Sequence, residues 1–302
     1  MLSAAVVALG AVAGVVAVLA EGGGGGAAPT TSVADTTPNT PTQVFSLPLI
    51  KEPSTLALAK HSGTVLVGLA ARSGGPVEVA VLRGETPVAG AALELQIDGE
   101  TVEAEACGRG CSRIRAAVLD GSTRRLTVRA GPSTLSFDLP GRLPPSGAGL
   151  FGRAQKTMAG LHSFRFNERL TSGVGGGVAS DYEVQAPNRL RFRTLGGFRS
   201  VIIGRTRWDY HDGRWERGPY PGLKVAQALI WYRAKHARIV ARRPNGVSEV
   251  TAFGLEPVPA WFRLAVEPTG RVVEAEMIAA SHFMVHRYSD FNGRFTIKAP
   301  KK

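Results

Sequence analysis

The chain has 302 residues, 44% of them hydrophobic and 20% charged, with 37 glycines, two cysteines and a formal net charge of +12. That length leaves room for two ordinary domains with sizeable cores, and the composition excludes both a disordered chain and a disulfide-dense scaffold. The positive excess is one-sided: residues 141–302 hold 26 Lys and Arg against 12 Asp and Glu, so an anionic partner would face the C-terminal half.

In chain order, Leu2 to Ala20 is an uncharged run of Ala, Val, Leu and Gly with one Ser. As a helix rising 1.5 Å per residue it would cross most of a bilayer's roughly 30 Å core. Residues 1–21 are therefore expected to form a membrane helix, either an uncleaved signal anchor or the last helix of a longer membrane protein. A secretory signal is the alternative, because Val18-Leu19-Ala20 precedes Glu21 as at a cleavage site, but no Lys or Arg precedes the run. On each reading residues 21–302 lie outside the cytoplasm of a single-pass cell-membrane protein. Anionic headgroups and acidic partners then suit the basic half better than nucleic acid. Residues 22–42 follow with five consecutive glycines, then Ala, Pro, Thr and Ser, the composition of a flexible tether.

Residues 43–140 read as short strands, at 44–49, 55–59, 64–71, 77–82, 92–97, 103–106, 113–118, 125–129 and 135–139. Ser73-Gly74-Gly75-Pro76, Asp98-Gly99 and Asp120-Gly121 supply turns between them. That spacing is the pattern of an all-β sandwich. The run LALAKHSGTVLVGLAARSGGPVEVAVLRGETPVAGAALELQIDG, with the later CGRGC and TLSFDLP, resembles the extracytoplasmic immunoglobulin-like domain that follows the membrane helices of copper resistance D-type transport proteins. That domain is itself similar to copper resistance C. The resemblance implies an association with copper transport through a membrane partner, and it would make Leu2–Ala20 the last membrane helix. Copper resistance C binds copper through His and acidic ligands or Met clusters, whereas this region offers His61 and no Met, so its copper site is not expected here. Cys107 and Cys111 could hold a soft metal as a thiolate pair or close a turn as a disulfide. The glycines between them and an oxidising compartment favour the disulfide.

Residues 141–149, GRLPPSGAG, are expected to be a linker, and 150–302 a second unit. Leu150, Phe151, Ala154, Met158 and Leu161 recur at helical spacing, with Ser146 upstream as a cap. A long antiparallel meander follows. Phe164, Phe166 and Leu170 alternate with Arg165, Asn167 and Arg169, and Leu190 and Phe192 with three arginines, giving an apolar face and an arginine face. Residues 224–235 read equally as helix or strand. The order helix, meander, then PTGRVVEAEMIAASHFMVHRYSDFNGRFTIKAP resembles the LolA/LppX-type lipoprotein-carrier fold, a half-barrel wrapped on one or two helices. Tyr288-Ser-Asp-Phe291-Asn292 and Ile297-Lys-Ala-Pro300 carry the likeness. It implies a cavity for acyl chains, lined here by Met158, Phe164, Phe166, Phe192 and Trp261, although such residues also make an ordinary core.

His282, Met284 and His286 stand at i, i+2 and i+4 on one expected strand, hence on one face, and two imidazoles with a thioether form a conceivable copper set. A solvated or core face is the plainer account. Trp208 to Trp215 holds Asp and His beside an Asp212-Gly213 turn, which a hairpin with paired aromatics explains. No nucleophile motif, phosphate loop, dinucleotide fingerprint or HExxH occurs, and no enzyme is expected. The expected protein is mainly β and membrane-anchored, with a sandwich and a half-barrel. It would serve copper transport, or alternatively carry a lipid or other amphiphile, or act as a protein-interaction module.

Overall fold

A computed structural model of the chain describes residues 45–51, 54–255 and 258–301, together with the two-residue strands Ala8–Leu9 and Val16–Ala17, which pair with each other. The remainder of the expected membrane helix and the tether to residue 42 lie outside the described residues. No helix among those described is long and apolar enough to cross a membrane.

The fold is mainly β. Eight strands make two facing sheets in the first half: β1 Thr55–Ser62, β2 Val65–Arg72, β3 Gly75–Arg83, β4 Leu93–Ile97, β5 Ala104–Gly108, β6 Cys111–Val118, β7 Arg124–Ala130 and β8 Ser133–Leu139. One sheet has the order β1-β2-β3-β6-β5 with Thr86–Pro87 beside β3, and the other β8-β7-β4 with Glu100–Thr101 beside β4. Leu56, Val67, Leu69, Val79 and Ile114 from the first meet Leu95, Leu126, Val128 and Phe137 from the second in a closed apolar core. Cys107 and Cys111 are joined by a disulfide at the β5–β6 turn.

The second half opens with helix α1, Ala148–Ala159, whose first N–H is 3.4 Å from the Ser146 hydroxyl. Eleven strands follow: β9 Ser163–Thr171, β10 Val178–Gln185, β11 Arg189–Thr194, β12 Arg199–Ile203, β13 Thr206–His211, β14 Arg214–Pro219, β15 Lys235–Arg242, β16 Ser248–Gly254, β17 Ala260–Val266, β18 Val272–Ala279 and β19 His282–Ser289. They form one antiparallel sheet in the order β14-β13-β12-β11-β10-β9-β19-β18-β17-β16-β15. Two meanders, β9–β14 and β15–β19, are thus joined by β9 lying on β19, with Phe166 opposite Tyr288 and Leu170 opposite Met284. Residues 220–234, which take in most of the 224–235 stretch that reads equally as helix or strand, are neither helix nor strand apart from one 3-10 turn at Val225–Ala228. This strap leaves one edge of the sheet and returns at the other. Helix and strap lie against the same face and bury it, so the unit is an open half-barrel with a filled concave side.

The two halves share a third apolar layer. Phe45, Leu47, Leu49 and Ile50, with Ala57, Leu66, Ala70 and Leu82 of the sandwich, pack on Phe253, Trp261, Ile278 and Phe283 of the large sheet. Gly68 explains the fit. A Cβ there would sit 2.1 Å from the Trp261 ring, so the indole packs directly on bare backbone. Phe45 stacks on the other side of Trp261 at 5.2 Å between centroids. Gly173, with φ +82, similarly meets Gly63, whose carbonyl oxygen would be 2.0 Å from an added Cβ.

Residues 141–149 are tied to the second half, where Ile239 N–H donates to Pro145 O at 3.0 Å and Gly147 N–H to Ala237 O at 2.8 Å. Two expectations are corrected. Of residues 44–49, expected as a strand, the described 45–47 have no regular structure and lead into a 3-10 turn, Pro48–Lys51, held where the Leu49 N–H donates to buried Glu78 Oε2 at 2.7 Å. Trp261 does not join the concave lining. Strand alternation turns Phe262 and Leu264 inward and Trp261 and Arg263 outward, so the indole belongs to the layer between the halves.

Candidate functional site

The concave wall is built by alternation. Phe164 and Phe166 on β9, Tyr182 and Val184 on β10, Leu190 and Phe192 on β11, and Met284 and Tyr288 on β19 all point inward, because Phe166 pairs with both Tyr182 and Tyr288, and Tyr182 with Phe192. Their rings form a ladder: Phe166 stacks on Tyr182 at 4.3 Å, and Tyr182 on Phe192 at 5.0 Å. Met158 of the helix reaches the same core and is fully buried, and Phe164, Phe166 and Phe192 are each at most 3% exposed. Four of the five expected cavity residues are thus together. The space in front of them is taken by Tyr220, Leu223, Val225, Ala228, Leu229 and Trp231 of the strap.

One polar chain runs through this apolar wall. Glu168, between Phe166 and Leu170 on the inward side of β9, receives the Tyr182 hydroxyl at 3.2 Å and lies 2.8 Å from His286 Nε2. His286 Nδ1 is 3.2 Å from the Tyr288 hydroxyl, which also accepts Trp231 Nε1–H at 3.2 Å. The indole donates to the Tyr288 oxygen, both His286 nitrogens have a polar partner, and every member of the chain is thus in contact with the next. Burial raises the Tyr288 hydroxyl, and burial followed by the nearby Glu168 charge raises Tyr182. Both phenols therefore stay protonated donors at physiological pH. Arg207, paired with Asp209 at 2.7 Å, adds a cation on the inward side of β13.

The expected metal trio divides differently. His282, Met284 and His286 do share the inward face of β19. Met284 is core, His282 Nδ1 lies 2.9 Å from Ala280 O, and both nitrogens of His286 are engaged in the chain above. Among the described residues, the group whose ligand atoms converge as for a metal is Glu78 with Cys107 and Cys111, and there the sulfurs are bonded to each other. Glu78 Oε1 also accepts Arg113 at 2.6 Å. Sequence reading missed Glu168, Tyr182, Tyr288 and Trp231. The signal for Glu168 was present, since it occupies an apolar-face position in a strand whose inward neighbours are Phe and Leu.

The opposite, outer face is arginine-rich as expected. Arg165, Arg191, Arg193, Arg199, Arg287 and Lys298 line a groove of about 1250 Å³ that holds only Asp181 and Glu183 as acids, with Trp215 and Leu195 at one end. The C-terminal tail closes the other end, where Arg189 donates to Ile297 O at 2.6 Å.

The site thus belongs to an antiparallel half-barrel whose apolar wall is covered by a helix and an irregular strap, with one buried polar chain. No known protein family and no curated protein matches the sequence. Solved structures similar to it include lipoprotein LppX of Mycobacterium tuberculosis, at 16% identity and a TM-score of 0.37, over 51% of this chain and 100% of that one. LprF of Mycobacterium bovis is similar at 14% and 0.37, over 53% and 100%. A LolA superfamily protein of Nitrosomonas europaea follows at 12% and 0.27, over 50% and 95%. These likenesses are distant in sequence and in backbone.

Proposed function

We propose that the half-barrel binds an amphiphile, whose apolar chain takes the place of the strap against the wall of Phe166, Tyr182, Phe192 and Met284. The observation that carries this reading is the way the wall is covered. The strap spans 15 residues with a single 3-10 turn, yet seven of its side chains, Tyr220 to Ala234, are buried. Its hydrogen bonds to the rest of the unit include Tyr220 N–H to Arg205 O, Trp231 Nε1–H to Tyr288, and Gln155 Nε2–H to Tyr232 O, and among the described residues it joins no strand ladder. A segment held mainly by non-directional burial is one that another apolar chain can replace with little loss. The Glu168 to Trp231 chain and Arg207 would meet the ligand's polar end.

The copper association expected from the first half finds its candidate ligands engaged elsewhere, His286 with Glu168 and Cys107 with Cys111, and the amphiphile reading is preferred. The chain is proposed to be non-catalytic and to act outside the cytoplasm. An immunoglobulin-like character of the sandwich is proposed on its two-sheet architecture.

The test keeps Trp231 as the sole tryptophan by Trp208→Phe, Trp215→Phe and Trp261→Phe, then adds a bromine-labelled fatty acid or phospholipid. Uptake on the wall shifts and quenches Trp231 emission, and native mass spectrometry shows the adduct. An unchanged spectrum with no adduct would remove the reading.

A further inference from the structure

We propose that one end of the half-barrel is a docking surface for an anionic lipid bilayer. The described residues expose three large aliphatic side chains, Val174 at 68%, Leu195 at 84% and Leu255 at 46%. Strand register places all three at the same end of the sheet. Val174 is in the β9–β10 loop, Leu195 in the β11–β12 turn, and Leu255 directly follows β16. These connections adjoin one another because Thr171 faces Phe283, Ser180 faces Thr194 and Gly254 faces Ala260 across the ladder. The turns of the opposite end read Ala186-Pro187-Asn188, Gly204-Arg205, Arg243-Pro-Asn-Gly-Val247 and Glu267-Pro-Thr-Gly-Arg271, with no exposed large aliphatic residue.

Charge and aromatic chemistry agree with the aliphatic tips. Leu195 is flanked in sequence by Arg193 and Arg199, both exposed. Arg199 lies over the Tyr210 ring at 5.0 Å and Arg217 over Trp208 at 6.0 Å, while Trp215 meets Tyr210 edge-on. Arginines held on tyrosine and tryptophan next to protruding aliphatic groups match the layering of a membrane interface, with hydrocarbon at the tip and phosphate beside the cation. The outer groove starts at this same end and carries six cations against two carboxylates, and although Arg165 and Arg287 are also paired with Asp290 and Glu274 the balance stays positive, which gives headgroups a path along the sheet. A soluble acidic protein would use the charges, but it gives no reason for three aliphatic groups on three separate turns to share one end. The surface lies on the rim and outer face, away from the concave wall, so it stands whether or not an amphiphile is bound there.

The experiment uses the full chain with Leu195→Cys or, as a control at the opposite end, Arg205→Cys, each carrying an environment-sensitive dye. The probes are vesicles of phosphatidylcholine alone or with phosphatidylglycerol. The Leu195 dye should become shielded from aqueous iodide and quenched by spin-labelled lipid on vesicles containing phosphatidylglycerol, and the Arg205 dye should not. Arg199→Gln should weaken the effect by about fivefold, and salt that shortens the screening length from about 10 Å to about 3 Å should abolish it. Iodide access unchanged at Leu195, equal shielding at Arg205, or equal shielding on phosphatidylcholine alone would each overturn the proposal. Trp231 quenching by a bromine-labelled chain is scored separately, so the failure of one proposal does not read as failure of the other.

Discussion

Gly68→Ala tests the contact between the two halves and has a sign that local propensity alone gets wrong. Gly68 lies inside β2 with no left-handed φ, so an alanine there should by itself stabilise the chain by about 0.5 kcal/mol through the unfolded state. In this protein the new methyl would lie 2.1, 2.3 and 2.7 Å from three Trp261 ring carbons, and contact distance is about 3.5 Å or more, so the ring must retreat by about 1.4 Å or leave. It has nowhere to retreat, with Phe45 stacked at 5.2 Å and Phe253 edge-on at 5.1 Å. Expelling an indole re-exposes about 200 Å² of mostly apolar surface, which at about 25 cal/mol per Å² sets an upper bound of about 5 kcal/mol. Differential scanning calorimetry should show a loss of about 10 °C for a chain of this size. The decisive comparison is a double-mutant cycle: with Trp261→Ala already present, Gly68→Ala should be neutral or slightly stabilising. A single Gly68→Ala variant that melts with the wild type would refute the wedge, and so would one equally destabilised in both backgrounds.

Three further outcomes follow from the polar groups. Glu168→Leu leaves His286 Nε2 and the Tyr182 hydroxyl without a partner in a buried setting and should cost about 2–4 kcal/mol by urea denaturation, whereas Glu168→Gln keeps an acceptor and should cost less. At Glu249, burial pushes the carboxyl up but hydrogen bonds from Arg263 and Arg243 outweigh it and hold it below its usual value of 4.5. A lowered folded-state value means that the group's stabilisation is full above 4.5 and fades as pH falls through the lower one, so Glu249→Gln and wild type should differ in urea midpoint near neutrality and converge in acid. Replacing both Cys107 and Cys111 with Ala opens a short loop and should lower stability by about 2 kcal/mol, read from the same midpoints, with no change in the fold of the half-barrel by circular dichroism.

Much of the second half was legible from alternation. The Phe164/Phe166 and Leu190/Phe192 patterns gave the inward face, the arginines between them gave the outer one, and Asp212-Gly213 gave a turn. Alternation failed where both faces are covered. In β17, Ala260-Trp-Phe-Arg-Leu, the large residues Trp261 and Phe262 are adjacent, and period two does not say which belongs to the concave core. A signal existed on the other side of the contact, because Val65 to Ala71 is an unbroken apolar run, and such runs belong to strands buried on both faces. The strap was unreadable for a different reason. It borrows its order from the wall it covers, and Lys224 to Lys235 carries no period of its own. The Glu168 chain joins residues up to 118 positions apart, which no local pattern encodes.

That same separation governs how the chain can be made. The central rung of the eleven-stranded sheet is β9 against β19, the first and last strands of the unit. During synthesis from the N-terminus, the β9–β14 meander, complete at Pro219, emerges with β9 as an open edge, and its partner begins only at His282. An aromatic, unpaired edge is a template for pairing with other nascent chains, so this protein should be sensitive to the rate of translation and to chaperone supply. Truncation before His282 should convert it from a folded protein into an aggregating one, although it removes only the last strand and tail.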